Sequence, residues 1–160
     1  YAANGEKWQV YDGLCDMKST ATNITVSRCV FKNHDKTMLI GSDDKDGASD
    51  PIARKISLIA NYWLNCGQRC PMVRNSLCHV LNNVYASDSS RVYNSQSSIN
   101  ARAGSVVCSE DNWFGNVAGA SEGGGSISYK PDTIFNPADF YPYAKYSSKE
   151  AVIEDAGAGK

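Results

Sequence analysis

Apolar and polar residues alternate along this chain in short runs, the period of half-buried strands rather than of helices. Residues 12–18 (DGLCDMK) alternate in this way. Residues 23–31 (NITVSRCVF) form a second run, rich in β-branched side chains that suit a pleated surface. A third lies within 34–41 and is centred on TMLI at 37–40. Further strand-like runs cover 55–63, 77–85 and 105–114. A charged, glycine-containing loop at 42–50 is stopped by Pro51.

Four of these runs contain the same ending. Arg28-Cys29-Val30-Phe31, Ala60-Asn61-Tyr62-Trp63, Asn82-Asn83-Val84-Tyr85 and Asp111-Asn112-Trp113-Phe114 each set a small or polar residue before an apolar–aromatic pair. The step from Cys29 to Asn61 is 32 residues, from Asn61 to Asn83 it is 22, and from Asn83 to Asn112 it is 29. Self-similarity at such an irregular spacing marks stacked coils with loops of variable length inserted. Strands and turns fill each repeat and no helix separates them, which predicts an all-β parallel solenoid with one coil per repeat. Asn61, Asn83 and Asn112 are expected to form a ladder at a tight turn. Each amide would bond the next coil, and each backbone would accept the left-handed conformation. Exposed strand edges at the two ends would need capping. The tail differs: residues 123–125 read as a loop, Pro131, Pro137 and Pro142 punctuate an extended stretch, and 147–156 reads as a short C-terminal helix. Ser147 and Glu150 form its capping box and Gly157 its stop.

Composition narrows the partners. The 160 residues fit one domain, with coils over about 11–117 and a tail over 118–160. A hydrophobic fraction of 42% supports a core, and a net charge of −1 supplies no basic field for nucleic acid. No apolar run nears membrane-spanning length, so neither a nucleic acid nor a membrane is an expected partner. No basic-then-apolar leader follows Tyr1 and the chain opens without Met, which reads as a processed or truncated product. Six cysteines permit three disulfides without establishing any. Asn23-Ile24-Thr25 is a glycosylation sequon.

The densest chemistry lies in 65–85, NCGQRCPMVRNSLCHVLNNVY. Two fixed cations, Arg69 and Arg74, flank Pro71 and precede an apolar strand closed by paired asparagines, a pattern fit to grip anions. With DGLCDMK at 12–18 and NITVSRCVFKNHDKTMLIG at 23–41, this stretch resembles the core of the pectate lyases of the parallel β-helix polysaccharide lyase family. The resemblance spans roughly 11–117. Its most specific parts are Arg-x-Pro-x-x-Arg at Arg69, Pro71 and Arg74, the HDKTMLIG strand, and HVLNNVY.

The resemblance implies a right-handed, single-stranded parallel β-helix that is secreted and cleaves α-1,4-polygalacturonate by calcium-assisted β-elimination. It implies that Arg69 removes the C5 proton. Lys36 and Arg74 would bind substrate carboxylates, Lys18 would contact substrate, and Asp12 and Asp16 would hold Ca2+. These residue types suit that chemistry. Galacturonate is an anion, calcium takes oxygen ligands, and side chains four apart in a strand share a face. Fixed positive charge stabilises the enolate-like intermediate. A guanidinium ordinarily titrates above about pH 12, so an arginine base predicts an alkaline optimum.

Family members extend further on the N-terminal side, with an earlier Trp-x-Asp-His-type motif that adds calcium ligands. Trp8 is instead followed by Gln-Val-Tyr-Asp. The chain is therefore expected to be a C-terminal portion truncated before the 12–18 coil. It would act as a monomer or by pairing with a missing N-terminal portion. A binder of acidic polysaccharide without turnover is the alternative function. A lyase acting on methylated pectin is disfavoured, since it has little use for these carboxylate-gripping cations.

The remaining candidates have plainer expectations. His34 and His79 are expected to bond backbone or line the core. Cys66, Cys70, Cys78 and His79 lack the paired spacing of structural zinc sites. Cys15, Cys29, Cys78 and Cys108 are expected to be small buried hydrophobes, and Cys66 and Cys70 are the better disulfide candidates. The loop from Ser42 lacks the twelfth-position ligand of an EF-hand, Ala53 standing there, and is expected to border the cleft.

Overall fold

The computed structural model describes residues 12–118 and the backbone of 121–123 and 126–129. It is built from strands alone: β1 (Ile24–Ser27), β2 (Val30–Lys32), β3 (Leu39–Ile40), β4 (Lys55–Ile59), β5 (Tyr62–Leu64), β6 (Met72–Arg74), β7 (Leu77–Leu81), β8 (Val84–Ala86), β9 (Asn100–Arg102), β10 (Val106–Glu110), β11 (Trp113–Gly115), β12 (Ser121–Gly123) and β13 (Ser126–Tyr129). Every third strand stacks in parallel on its predecessor. The first sheet runs β1-β4-β7-β10-β13, the second β2-β5-β8-β11 and the third β3-β6-β9-β12. The expected parallel β-solenoid is thus present, and among the described residues there is no helix, hence none long and apolar enough to cross a membrane. The expected helix at 147–156 lies outside the described residues.

Each long run in the sequence is two strands meeting at a corner, not one strand. The corner residues are Arg28, Ala60, Asn82 and Asp111, with φ of 54°, 57°, 55° and 52°. A single left-handed residue swings the chain from the first sheet to the second. This corrects the expected role of the asparagines: the left-handed residue sits one position before each ladder asparagine, which keeps its side chain inside the solenoid. There the ladder forms as anticipated. Asn61 donates from its backbone N and from Nδ2 to Asn83 Oδ1, at 3.0 and 2.9 Å. Asn83 does the same to Asn112 Oδ1, at 2.8 and 3.0 Å. Cys29 occupies this place in the first coil and donates its backbone N to Asn61 Oδ1.

The aromatic of each ending stacks beside the ladder. Phe31, Trp63, Tyr85 and Phe114 have successive centroid separations of 4.3, 5.7 and 4.7 Å. Inward positions of the first sheet form apolar columns through Ile24, Ile56, Cys78 and Val107, and through Val26, Leu58 and Val80. Ile56, Leu58, Val80 and Val107 are fully or almost fully buried. Ile24 and Val26 are only half-buried, because β1 is an edge strand among the described residues. Cys66, Cys70 and Cys78 are buried free thiols, and burial pushes the Cys78 thiol up to about 12.

The loop between β3 and β4 is organised by a buried ion pair. Arg54, 3% exposed, donates to Asp46 Oδ1 at 2.8 Å and to the Ser19 carbonyl at 2.6 Å. Asp46 also accepts from Ser42 N at 2.7 Å and from Ser19 N at 3.1 Å. Burial alone would raise the Asp46 carboxyl. The hydrogen bonds from Ser42, Ser19 and Arg54 outweigh it and hold the group well below the usual carboxylate range.

Candidate active site on the third sheet

Residues 12–18 add a partial coil to the leading edge of the third sheet. Gly13 pairs with Lys36 and Met17 with Ile40. Met17 N donates to the Leu39 carbonyl at 2.7 Å, and Gly41 N to the Met17 carbonyl at 2.8 Å. Met17 is buried, so the alternation leaves Asp12, Asp16 and Lys18 exposed. Asp16 Oδ1 accepts from Leu39 N at 2.9 Å. Its carboxylate folds over Gly13 so closely that a Cβ there would lie 2.0 Å from Asp16 Oδ2. Glycine at 13 is therefore what lets this carboxylate lie along the edge.

Lys36 stands on the next coil. Its Nζ lies 3.0 Å from Asp12 Oδ1, and the side chains are 22% and 63% exposed respectively. His34 donates from Nε2 to the Asp12 carbonyl at 3.0 Å, a bond to backbone as expected for this histidine. Asp12, Asp16 and Lys36 thus belong to one connected patch of side-chain and backbone contacts between neighbouring coils.

Arg69 comes from the coil after that, and its place is set by a bulge. Lys36 pairs with Gln68 and Leu39 with Met72, so the second strand carries one residue more than the first between the same two rows. Thr37 N donates to the Gln68 carbonyl and Met38 N to the Arg69 carbonyl, at 3.1 and 2.6 Å. Arg69 takes up the extra length with φ of 57°, and the Cys70–Pro71 peptide that follows is cis. Positive φ is common at the corners of this fold. Arg69 differs because its left-handed residue interrupts a strand pairing, where a bulge re-aims a side chain. Its Nε is buried with no hydrogen-bond partner among the described residues.

Arg74 ends β6 and pairs with Arg102 of β9. It is engaged by the loop after β3: its Nε donates to Asp44 Oδ1 at 2.7 Å, and one Nη donates to the Gly41 carbonyl at 3.4 Å. The loop therefore borders this face of the sheet. Lys18 is exposed one position beyond Met17, at the same end of the sheet. From the Lys36 row to the Gly41 row is five residues, about 16 Å of strand. The six sequence candidates are thus distributed along one sheet: Asp12, Asp16 and Lys36 together, Arg69 on the adjoining strand, and Lys18 and Arg74 toward the far end.

A pectate lyase family profile matches residues 2–150. The chain belongs to the pectate lyase family. It is 37% identical over 112 residues to pectate lyase E of Dickeya chrysanthemi, covering 69% of this chain and 28% of that protein. It is 43% identical over 76 residues to the pectate trisaccharide-lyase of a Thermotoga species, covering 47% of this chain and 21% of the relative. The solenoid is similar to a pectate lyase from Acidovorax avenae subsp. citrulli, with TM-score 0.65 and 22% identity over 92% of this chain and 41% of that one. A pectate lyase bound to a hexasaccharide gives TM-score 0.63 and 21% identity over 91% of this chain and 42% of that one. The chain spans less than a third of the length of these curated relatives.

The pectate lyase candidates for a calcium site fit a hard cation in kind. Asp12 and Asp16 offer carboxylate oxygens on one face, and the room that Gly13 leaves for the Asp16 carboxylate is a cradle that any Cβ would fill. Sequence patterns missed two loop acids. Asp44 and Asp46 look like ordinary loop acids until the loop folds back, where Asp44 meets Arg74 of β6 and Asp46 meets Arg54, and β6 and β9 are too short for alternation to reveal. The histidine expectation fails for His79. It faces outward from β7 and bonds Glu110 Oε2 of β10 at 2.5 Å, because the inward place on that strand belongs to Cys78. Cys108 is likewise half-exposed on the outer face rather than a core residue.

Proposed function

We propose that this chain carries the cleft of a secreted pectate lyase that cleaves α-1,4-polygalacturonate by calcium-assisted β-elimination. The carrying observation is the alignment of Asp12, Asp16, Lys36 and Arg69 on three adjoining coil segments of one sheet. An elimination of this kind removes the C5 proton, expels the C4 oxygen and leaves a C4–C5 double bond. The intermediate carries charge on the C6 carboxylate, and fixed cations beside it lower the barrier. Lys36 would neutralise that carboxylate, and its pairing with the exposed Asp12 is a contact that a substrate anion can compete with. Arg69 sits on the bulge next to Lys36; as a neutral guanidine it would accept the C5 proton at a terminal nitrogen, since its Nε is buried, with no hydrogen-bond partner among the described residues. Arg74 and Lys18 would bind further uronate carboxylates along the same sheet. A bound calcium ion would be held by Asp12, Asp16 and substrate oxygens, and its charge acidifies the proton next to the uronate carboxylate.

A single observation favours binding without turnover: only Asp12 and Asp16 supply carboxylates at this edge among the described candidates. Ultraviolet absorbance of unsaturated product from polygalacturonate, with calcium and then with chelator, separates the two functions. The lyase is supported by calcium-dependent product that rises toward alkaline pH and vanishes in Arg69→Lys with oligogalacturonate binding kept. Binding retained with no product at any pH establishes the alternative.

A further inference from the structure

We propose that His79, Cys108 and Glu110 form a second metal site, for a divalent transition ion of the zinc class, on the outer face of the first sheet. His79 on β7 is the direct cross-strand partner of Cys108 on β10. Glu110 lies two residues beyond Cys108, and residues two apart on a strand share a face. One donor atom from each of the three lies within 4.8 Å of the other two. The side chains of His79 and Glu110 are 37% and 29% exposed, so the donors are open to solvent yet anchored on adjacent strands of the longest sheet. His79 and Cys108 also line a groove of about 530 Å³ that crosses β1, β4, β7 and β10.

The donor set selects the ion. A thiolate and an imidazole are poor calcium ligands, so this site is chemically distinct from the one proposed around Asp12 and Asp16. Sulfur, nitrogen and one carboxylate oxygen suit zinc, and three protein ligands leave a fourth tetrahedral position for water or an incoming group. Metal–ligand bonds of about 2.0–2.3 Å place tetrahedral donors roughly 3.3–3.8 Å apart. No donor pair is more than 4.8 Å apart, so reaching that spacing takes a closure of no more than about 1.5 Å, and His79 must exchange its 2.5 Å bond to Glu110 for a shared ion. Both adjustments would come from rotation of half-exposed side chains. The competing role for the His79–Glu110 contact is a plain surface ion pair, which contributes little.

Cobalt(II) is the probe, titrated into the reduced, metal-stripped protein with calcium held in excess. The expected result is a near-ultraviolet thiolate-to-cobalt charge-transfer band with intense visible bands, bleached by added zinc. Cys108→Ser abolishes the charge-transfer band, and His79→Gln and Glu110→Gln each weaken binding about tenfold or more. Cys15→Ser and Cys29→Ser leave the spectrum unchanged, which excludes the other half-buried thiols. Circular dichroism confirms that each variant is folded. Should Cys108→Ser misfold, His79→Gln carries the test alone, since its side chain faces solvent. The site is overturned if no charge-transfer band forms, if the band survives Cys108→Ser, or if His79→Gln binds cobalt as tightly as the parent.

Discussion

Replacing Asn83 by alanine tests whether the amide ladder holds the coils in register. Asn83 is fully buried. Its Oδ1 accepts from Asn61 N and Asn61 Nδ2 at 3.0 and 2.9 Å. Its Nδ2 approaches the Leu58 and Leu81 carbonyls and Asn112 Oδ1 at 2.9, 3.1 and 3.0 Å. An amide has two hydrogens, so at most two of those three acceptors are served at once and four bonds is the working total. At about 1 kcal/mol net for each, the loss is about 4 kcal/mol, and leaving the Asn61 backbone N–H without its acceptor keeps the effect above about 2 kcal/mol. Against a domain stability of about 5–15 kcal/mol this is a large share. For a chain of this length it corresponds to a fall in Tm of about 8–16 °C. Urea and thermal unfolding of the purified protein measure it, with Thr25→Ala, an exposed first-sheet position, as the control. Asn83→Asp should be no milder, because it turns a donor toward the Leu58 carbonyl into a buried acceptor. In a double-mutant cycle with Asn61→Ala the two changes should couple by about 1 kcal/mol or more. A loss below about 1 kcal/mol for Asn83→Ala, or strict additivity with Asn61→Ala, would refute the ladder as the clamp between coils.

Four further outcomes follow from named contacts. Gly13→Ala puts a methyl where the Asp16 carboxylate lies, so calcium affinity measured by calorimetry should fall about tenfold or more; unchanged affinity removes Asp16 from the proposed site. Asp44→Ala frees the Arg74 guanidinium at a stability cost of about 0–1 kcal/mol, and oligogalacturonate binding should tighten; weaker binding would mean that Asp44 positions Arg74 instead. Asp46 has its folded carboxyl lowered below the ordinary value near 3.8, so its stabilisation is present above that pH and is lost as pH falls toward the folded value. Asp46→Asn should therefore flatten the acid limb of the stability–pH curve below about pH 5 and cost about 3–5 kcal/mol at neutral pH by leaving Arg54 buried and unpaired; an unaltered acid limb contradicts the assignment. Tyr85→Phe removes a buried hydroxyl with no partner among the described residues while keeping the ring stack, so Tm should hold or rise, and a clear fall would reveal a partner.

The sequence by itself determined the solenoid. Each coil must repeat its small-or-polar, apolar, aromatic ending because like residues stack on like, and that repetition survives loops of different length. Asn61, Asn83 and Asn112, the aromatic column, and the paired cations Arg69 and Arg74 were legible as local patterns, while Asp12, Asp16 and Lys36 were singled out only by the family resemblance. Only the tertiary structure decided what depends on register. A left-handed corner at Arg28, Ala60, Asn82 or Asp111 looks like any other residue in a β-rich run, yet it splits one apparent strand into two. The third sheet is built from segments of two or three residues, below the length at which alternation carries information. The bulge at Arg69 exists only relative to the coil beneath it, since an extra residue has meaning only against a partner strand. The same holds for Asp44 on Arg74, Asp46 on Arg54 and Glu110 on His79, pairs separated by 30, 8 and 31 residues. Periodicity specifies which face a side chain occupies; stacking of distant coils specifies which charge it meets there.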